Sequence, residues 1–182
     1  MRQKLAEPVQ DANQDQLYQE AANTFCAALE RLARAYEADA QRRQDLLQDI
    51  HLALWRSFEH FAQRCSLRTW VYRVAHNVAT SHVVRQQRTY ARLVSLEEVE
   101  SVAIRQQEEF GLDRKMVREH LLLLIERLKP VDRQVILSYL EGMDAATIGE
   151  ITGMSPANVA MKIHRVKNIL TRRLRKGGQH AG

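Results

Sequence analysis

The chain has 182 residues, of which 45% are hydrophobic and 27% charged, so it can bury the core of one medium domain or two small ones. Its net charge of +5 favours a polyanionic partner, with nucleic acid ahead of an anionic membrane surface. The sequence has no apolar run of membrane-spanning length and no apolar core near its N-terminus, so we expect neither a transmembrane helix nor a signal peptide.

Few residues interrupt regular structure in this chain. Three prolines and seven glycines favour helices over many short strands, so the predicted fold class is all-α. The two cysteines, Cys26 and Cys65, are too few for a disulfide framework. We expect both to be buried free thiols in a cytoplasmic protein.

The first half of the chain is predicted to form one helical domain. Residues 1–16 are polar, and we interpret them as a mobile N-terminal lead. Residues 17–88 then carry three apolar stripes at helical spacing, which predict a compact helical domain. The stripes are Phe25, Leu29, Leu32 and Tyr36; Leu47, Ile50, Leu54 and Phe58; and Leu67, Val71, Val74 and Val78.

An acidic stretch separates this domain from the second one. Residues 89–112 include five glutamates in the run VSLEEVESVAIRQQEEFG and a weaker apolar stripe, so we interpret them as a linker, with partial helicity as the alternative to an irregular one. A second small helical domain is predicted over residues 113–176, followed by a short tail at 177–182.

The second domain begins with two predicted helices. Pro130 predicts a helix boundary near Lys129, because proline lacks an N–H donor and clashes with the preceding turn. Another helix is predicted over residues 131–141, ending at Gly142. The apolar stripe before the boundary consists of Val117, Leu121, Leu124 and Leu128.

The segment GMDAATIGEITGMSPANVAMKIHRVKNIL predicts a helix-turn-helix. Asp144 is placed to cap a short helix, and Gly153 permits a tight turn after it. Ser155 is a favourable N-cap, and Pro156 follows at the first position of a second helix. Two helices joined by a short glycine-containing turn, the second of them basic, are typical of a DNA-binding motif. The apolar stripe of the second helix is Val159, Ile163, Val166 and Leu170.

The second helix of this motif carries candidate DNA-binding residues. Outward positions near its start, which reach base edges in the major groove, are Ala157, Asn158, Ala160, Met161, His164 and Arg165. Arg165 is suited to guanine and Asn158 to adenine or a phosphate. From Lys162 to Lys176 there are seven Lys or Arg and no acid. Residues predicted to neutralise phosphates are Lys167, Arg172, Arg173, Arg175 and Lys176. A surface helix whose cations complement its own dipole is the alternative, but it does not explain the capped helix before it.

A second basic region contains no acid over residues 60–96. On a helix Trp70, Arg73 and Asn77 share one face. Further cations around it are Arg64, Arg68, Arg85, Arg88 and Arg92. Aromatic rings beside cations suit unstacked bases, so we interpret this face as a surface for strand-separated DNA. The alternatives are that Trp70 is a core residue and that Tyr72 is a partly buried packing residue.

Three stretches of the sequence together resemble bacterial sigma factors of the small extracytoplasmic-function group. They are DLLQDIHLALWRSF, SLRTWVYRVAHNVATSH and LLLLIERLKPVDRQVILSYLEGMDAATIGEITGMSPANVAMKIHRVKNIL. Residues 22–88 are similar to sigma region 2 and residues 115–175 to region 4. The resemblance implies a cytoplasmic protein without cofactor or catalytic chemistry. Such a protein binds core RNA polymerase through its β′ and β subunits, directs it to promoter −10 and −35 elements and helps to melt the DNA.

The resemblance also implies roles for individual residues. Those at the polymerase-binding positions are Asp45, Gln48, Asp49, Leu52 and Trp55. Those assigned to binding and melting the −10 element are Trp70, Arg73 and Asn77, together with Arg64, Arg68, Arg85 and Arg88 from the basic field. The loop from His60 to Ser66 matches the stretch that holds a flipped base. Those on the −35-reading helix are Asn158, Ala160, Met161, Lys162, His164 and Arg165.

The sequence departs from the family pattern in two places. Arg42, Arg43 and Gln44 stand where acids or small residues are usual. We therefore hypothesise that polymerase binding is conditional on a partner or on a modification that restores negative charge. An anti-sigma factor and a modifying kinase are kept as candidate partners. Ala160 and Met161 make few hydrogen bonds to bases, so we expect an unusual or weakly read −35 sequence.

Other functions are weighed against this one. A helix-turn-helix regulator that acts without core polymerase has no need for the aromatic and basic face. A helical interaction module has no reason to bind DNA in a salt-dependent way, and membrane-surface binding by the basic tail is a minor alternative. We find no phosphate-cradling loop, paired carboxylates or nucleophile with a partner histidine, so the sequence does not predict an enzyme. The spacing of His76, His82 and Cys65 does not fit a zinc site, so no metal site is predicted.

Overall fold

The computed structural model describes the backbone of residues 8–94 and 114–178 and the side chains of residues 13–87 and 118–174. All regular structure in these segments is helical and they contain no strand, which confirms the predicted all-α class. The helices are α1 (Pro8–Tyr36), α2 (Ala40–Ser57), α3 (Leu67–Val94), α4 (Arg114–Glu126), α5 (Pro130–Leu140), α6 (Ala145–Thr152) and α7 (Pro156–Gly178), with a 3₁₀ turn at Phe58–His60. Within the described segments, no helix is both long and apolar enough to cross a membrane.

Helices α1, α2 and α3 form the N-terminal domain, and one face of α2 lies at its centre. Leu46, Ile50 and Leu54 are fully buried, and their spacing of four residues places them on one side of the helix. Leu47 was predicted in this stripe but is only half-buried. The predicted stripe is therefore buried at Ile50, Leu54 and Phe58, and Leu46 is buried in place of Leu47.

The buried face of α3 also differs from the predicted stripe. Its buried residues are Thr69, Val71, Tyr72, Ala75, His76 and Ala79, whereas Val74 and Val78 are half-buried. The reason is that α3 packs against α1 and α2 on one side and against α5 and α6 on the other. Tyr72, expected to be partly buried, is 2% exposed.

Helix α1 begins inside the predicted N-terminal lead, so residues 8–16 are helical. The buried Gln14 donates from Nε2 to the carbonyl oxygen of Trp55 at 2.6 Å, and Asp15 accepts a hydrogen bond from Trp55 Nε1 at 2.8 Å. These bonds attach the first turns of α1 to the end of α2. Residues 1–7 lie outside the described residues.

Both cysteines are free thiols, as predicted, but the prediction that they are buried was wrong. Cys26 is exposed because it lies outside the stripe that Phe25 and Leu29 continue along α1. Cys65, in the loop before α3, is half-buried.

Helices α4 to α7 form the C-terminal domain. Pro130 occupies the first turn of α5 and Lys129 precedes it, which confirms the predicted helix boundary. Gly142 follows α5 with a φ angle of 77°, a left-handed conformation that glycine adopts without strain. The start and the end of α5 therefore lie where Pro130 and Gly142 predicted helix boundaries.

Helices α6 and α7 form the predicted helix-turn-helix. Asp144 caps α6 by accepting a hydrogen bond from the backbone N–H of Thr147 at 2.8 Å, and Gly153 ends α6 with a φ angle of 75°. A Cβ atom at Gly149 would lie 2.7 Å from the carbonyl oxygen of Met154. The turn therefore packs so closely against α6 that only glycine fits at position 149. The buried residues of α7 are Val159, Val166 and Leu170, and Ile163 is half-buried.

Two helices extend past the predicted domain ends. Helix α3 continues to Val94, so the first residues of the predicted linker are helical, and α7 continues to Gly178. The rest of the predicted linker and residues 179–182 lie outside the described residues.

Candidate nucleic-acid interface

One face of α2 carries all five residues assigned to polymerase binding. All five of them are exposed: Asp45, Gln48, Asp49, Leu52 and Trp55. Leu52 is 47% exposed, which leaves a large apolar side chain in water. Asp49 lies 3.4 Å from Arg85 of α3, but both side chains are more than half exposed, so this pair contributes little. An exposed face with acidic and apolar side chains suits a basic, amphipathic helix of another protein.

The arginines at the start of α2 have partners within the chain. Asp39 caps α2 by accepting a hydrogen bond from the backbone N–H of Arg42 at 2.9 Å. Arg43 donates from Nη1 to the carbonyl oxygens of Glu37 and Ala38, at 3.5 and 3.1 Å. The guanidinium of Arg43 therefore supplies hydrogen bonds to carbonyl groups just after the end of α1. Arg43, one of the residues that depart from the family pattern, thus has a structural role in the turn between α1 and α2.

The loop before α3 and the side chain of Trp70 form an aromatic corner. Trp70 donates from Nε1 to Ser57 Oγ at 2.9 Å, and its ring centroid lies 5.3 Å from that of Phe61. Trp70 is half-buried, so it packs against the core and still presents part of its surface. Ser66 begins α3 by accepting a hydrogen bond from the backbone N–H of Thr69 at 3.0 Å. The interpretation of Trp70 as a core residue is therefore correct for part of the ring.

The C-terminal domain covers part of the face assigned to the −10 element. Arg73 donates from Nη2 to the carbonyl oxygen of Glu150 at 2.8 Å, near the end of α6. Arg68 donates to the carbonyl oxygen of Glu141, just after the end of α5. Helix ends suit cations because their last carbonyls lack intrahelical donors and carry the negative end of the dipole. Asn77 of the same face is exposed.

Glu141 joins the two domains through its carboxylate. Both carboxylate oxygens accept hydrogen bonds from Arg31 of α1, one from Nε and one from Nη2, each at 2.8 Å. The bond from Arg31 is the main reason that the pKa of Glu141 lies below its usual value. A bidentate pair of this kind fixes the geometry more strongly than a single bond does.

His76 is buried at the same contact. Its Nδ1 lies 3.1 Å from the hydroxyl of Tyr36 in α1, and its Nε2 lies 3.2 Å from Ser138 Oγ in α5. Complete burial lowers the pKa of His76 to about 3, so the ring is neutral at neutral pH. Arg133 of α5 lies over the Tyr36 ring, 4.9 Å from its centroid. At the contact between the domains, both ring nitrogens of His76 therefore have hydrogen-bonding partners, whereas Nε of the buried Arg133 has none among the described residues.

A polar cluster between α1 and α3 was missed from the sequence. His82 Nε2 lies 3.0 Å from Glu37 Oε2, and Gln86 donates to the same oxygen. Burial alone raises the pKa of Glu37, but hydrogen bonds from His82, Gln86 and the backbone N–H of Asp39 outweigh it and lower the pKa. Glu37 and His82 are 45 residues apart along the chain, so their spacing carried no signal.

Helix α7 presents the residues assigned to the −35 element. The exposed ones are Asn158, Ala160, Met161, His164 and Arg165, and Lys162 is half-buried. Met161 is 64% exposed, which places an apolar side chain at the centre of this face. Lys162 and Arg165 both bond to the carboxylate of Asp132 in α5, at 2.7 Å each. The sequence did not single out Asp132, because only the fold brings it next to these cations.

The cations assigned to phosphate contacts lie further along α7. Arg172 and Arg173 are exposed. Lys167 is also exposed, with its Nζ 3.3 Å from the hydroxyl of Tyr139 and 5.2 Å from that ring's centroid. Of the remaining predicted cations, Arg64 and Arg85 are exposed, and the side chains of Arg88, Arg92, Arg175 and Lys176 lie outside those described.

Two family models match the chain, one in each domain. The model described as sigma-70 region 2 matches residues 23–89. The model described as sigma-70 region 4 matches residues 118–170. The two matched ranges together cover most of the chain and include α2, most of α3, the helix-turn-helix and nearly all residues assigned to the three interfaces.

Relatives of known sequence are similar over most of their length. The chain is 23% identical to the ECF RNA polymerase sigma factor SigX of Bacillus subtilis (strain 168) over 140 residues, which span 75% of this chain and 72% of the relative. It is 29% identical to the RNA polymerase sigma factor CarQ of Myxococcus xanthus over 123 residues, which span 67% of this chain and 68% of the relative.

Two solved structures share the fold. CnrH in complex with the cytosolic domain of CnrY is 19% identical, with a TM-score of 0.63 over 92% of this chain and 97% of CnrH. The sigma factor RpoE in complex with the anti-sigma factor NepR from Bartonella quintana is 21% identical, with a TM-score of 0.63 over 87% of this chain and 96% of RpoE. At these identities the likeness concerns the fold.

Proposed function

Since the chain belongs to the sigma-70 family, as an extracytoplasmic-function sigma factor, we propose that it recognises promoters at two DNA elements and helps to melt one of them. Membership of the family implies binding to RNA polymerase and promoter-specific initiation. In the proposal α7 reads the −35 element as duplex, the face of α3 captures the −10 strand, and the exposed face of α2 binds the core enzyme.

The observation that carries the proposal is the face of α7. Its outward residues are accessible to a ligand, its inward residues hold the helix-turn-helix, and no acid lies between Lys162 and Lys176. A helix of this shape fits the major groove, with its first turns against base edges and its later cations beside phosphates. Arg165 is the side chain best suited to a bidentate contact with guanine.

The proposed role of the α3 face requires a change in the molecule. Arg68 and Arg73 donate to carbonyl oxygens of the C-terminal domain, which therefore lies over part of the face that DNA would contact. We infer that the two domains separate when the protein binds polymerase and promoter. The aromatic corner at Trp70 and the exposed Asn77 are then free to contact unstacked bases.

Candidate regulators follow from two separate considerations. CnrH is solved with the cytosolic domain of CnrY and RpoE with an anti-sigma factor, so an anti-sigma factor is a candidate partner of this chain in the cytoplasm. The positive charge of Arg42 and Arg43 beside the polymerase-binding face favours control of docking by added negative charge, for which a kinase is the candidate enzyme.

Transcription with purified core RNA polymerase tests the proposal. Leu52→Ser is expected to weaken core binding at least about five-fold, because it removes an exposed apolar contact without disturbing the buried side of α2. Its own binding to duplex promoter DNA should be unchanged. Leu123→Ser is the matched control, since Leu123 of α4 is also 47% exposed.

The alternative function makes the opposite forecast. A helix-turn-helix regulator that acts without polymerase binds its DNA sites fully in the absence of core enzyme and never initiates transcription with it. If the wild-type chain, tested with candidate anti-sigma factors and kinases, forms no complex with core enzyme and yields no transcript from genomic templates, the sigma-factor proposal is wrong.

A further inference from the structure

Asp132 occupies a position on the candidate DNA-binding face that has no assigned role. It lies in the first turn of α5, and its side chain is only 11% exposed. One carboxylate oxygen accepts a hydrogen bond from Lys162 Nζ and the other from Arg165 Nη2, both at 2.7 Å. A single buried acid thus holds two of the six residues assigned to the −35 element.

The arrangement leaves Arg165 able to bind DNA. Its guanidinium has five N–H donors in a rigid planar fork. The bond to Asp132 uses a donor on Nη2, and the side chain is 58% exposed. A guanidinium that is already fixed by one carboxylate loses less rotamer freedom when it contacts guanine than a freely rotating one. The bond therefore favours one orientation of Arg165 before any DNA is bound.

The carboxylate has a second effect, on binding to any DNA sequence. It places one negative charge beside two cations, which reduces their attraction to phosphates. Attraction to phosphates supplies nearly all non-specific binding, whereas oriented contacts to base edges supply sequence discrimination. Asp132 thus orients Arg165 for base contacts and also weakens the attraction of both cations to phosphates. Both effects raise the ratio of specific to non-specific binding.

We propose that Asp132 is a positioning residue that sets the sequence selectivity of α7 by holding Lys162 and Arg165. The inference rests on the proposed function, since it names a residue that tunes the −35 face. A purely structural ion pair is the competing explanation. Loss of a buried carboxylate that pairs with two cations lowers stability, but a purely structural role affects unfolding without changing the preference for one DNA sequence over another.

The test uses Asp132→Asn, which keeps the shape of the side chain and removes its charge. Holoenzyme assembled with core polymerase is given two probes: duplexes that the wild type selects from a pool randomised around position −35, and random duplexes. We expect random duplexes to bind several-fold more tightly, with a salt dependence steeper by about 0.9 for each additional phosphate contact. Discrimination between the two probes should fall by about five- to ten-fold.

Glu119→Gln is the matched control, because Glu119 is an exposed carboxylate of α4 in the same domain. It removes the same charge away from the face and should leave discrimination at the wild-type value. An Asp132→Asn variant that discriminates as well as the wild type, or a Glu119→Gln variant that loses discrimination equally, overturns the inference. If the wild type itself selects no duplex, the proposed function fails instead.

Two further variants keep the test decisive. In a background that carries both Lys162→Ala and Arg165→Ala, Asp132→Asn should have little additional effect on discrimination, because both residues through which it acts are gone. If Asp132→Asn fails to fold, as circular dichroism would show, Asp132→Glu takes its place. The added methylene displaces the carboxylate while keeping its charge, so discrimination should fall without tighter binding of random duplexes. Unchanged discrimination in Asp132→Glu also contradicts the inference.

Discussion

Helices α3 and α7 each carry a row of cations, but the cations on the two helices have different partners. Those of α3, Arg68 and Arg73, donate to carbonyl oxygens at the ends of α5 and α6. On α7 the outward side is open to solvent, and Lys162 and Arg165 are both held by one carboxylate, that of Asp132. The same kind of charge pattern therefore produces a covered face in one domain and an accessible face in the other.

The difference follows from what each helix meets in the fold. Helix α3 carries no acid of its own, and Arg68 and Arg73 donate to the free carbonyls at the negative dipole ends of two helices of the other domain. Arg85 lies beside Asp49 of α2 instead. Phosphates would satisfy the same donors. In the proposed function, promoter DNA and the C-terminal domain compete for Arg68 and Arg73, whereas α7 needs no rearrangement before it binds duplex.

The largest expected effect is on the accessible face. Arg165→Ala should weaken binding to the selected −35 duplex by about 10- to 100-fold, because a bidentate contact to guanine contributes about 1–3 kcal/mol of discrimination. The preference among bases should change at one position of the element. Binding measured by fluorescence anisotropy across single-base variants of that duplex checks both expectations.

Arg172→Ala is the comparison variant for this measurement. Arg172 is an exposed cation further along α7, in the part assigned to phosphates. Its loss should weaken all duplexes alike and lower the salt slope by about 1. Should Arg165→Ala also weaken every sequence equally, Arg165 is a phosphate contact and not a base reader.

The next effect concerns the covered side and depends on pH. Burial lowers the pKa of His76 from 6.5 to about 3, so the folded chain holds it neutral while the unfolded chain takes up a proton near its ordinary pKa. Stability from this group is complete above pH 6.5 and is lost as the pH falls towards 3. Within this range, each pH unit lowers the free energy of unfolding by about 1.4 kcal/mol. Urea unfolding at pH 7.5 and pH 5.5 measures the loss.

His76→Gln should remove most of this loss, because glutamine takes up no proton in this range and can still bond to Tyr36 or Ser138. The pKa of His51 is also lowered by burial, so a smaller dependence of the same sign should remain. His60→Gln, on the exposed 3₁₀ turn, is the matched control and should behave like the wild type. Equal pH dependence in His76→Gln and wild type contradicts the assignment.

The helices and the helix-turn-helix could be predicted from sequence because local rules determine them. Pro130, Asp144 and Gly153 act within a few residues of their own position, as proline, N-cap and left-handed glycine. The same holds for the outward row of α7, whose inward partners repeat at helical spacing. These features depend on no distant residue, and the fold retains all of them.

The contact between the domains could not be predicted, since it depends on pairs far apart along the chain. Tyr72 and His76 replace Val74 and Val78 in the buried face of α3, although they are more polar. They can be buried because α1 and α5 supply aromatic and hydrogen-bonding partners, such as Ser138. Hydrophobic periodicity ranks side chains by their own polarity and cannot register such partners.

The smallest expected effect would sharpen the comparison between the two faces. Glu141→Gln removes the charge that holds Arg31, and so loosens the contact that covers the α3 face. Because the pair is partly exposed, we expect a shift of about 1 kcal/mol, or about five-fold, towards separated domains. Energy transfer between dyes on Cys26 and on Thr171→Cys, with Cys65→Ser to prevent double labelling, reports this separation.

The affinity for a single-stranded −10 oligonucleotide should also increase by up to about five-fold, because separation of the domains frees Arg68 and Arg73. Duplex binding by α7 should stay unchanged, since no residue of that face contacts Glu141. Glu20→Gln removes an exposed charge of α1 and serves as the control. Unaltered energy transfer together with unaltered oligonucleotide binding would mean that the Arg31 pair does not hold the domains together, and that the cover over α3 depends on the buried bonds around His76 instead.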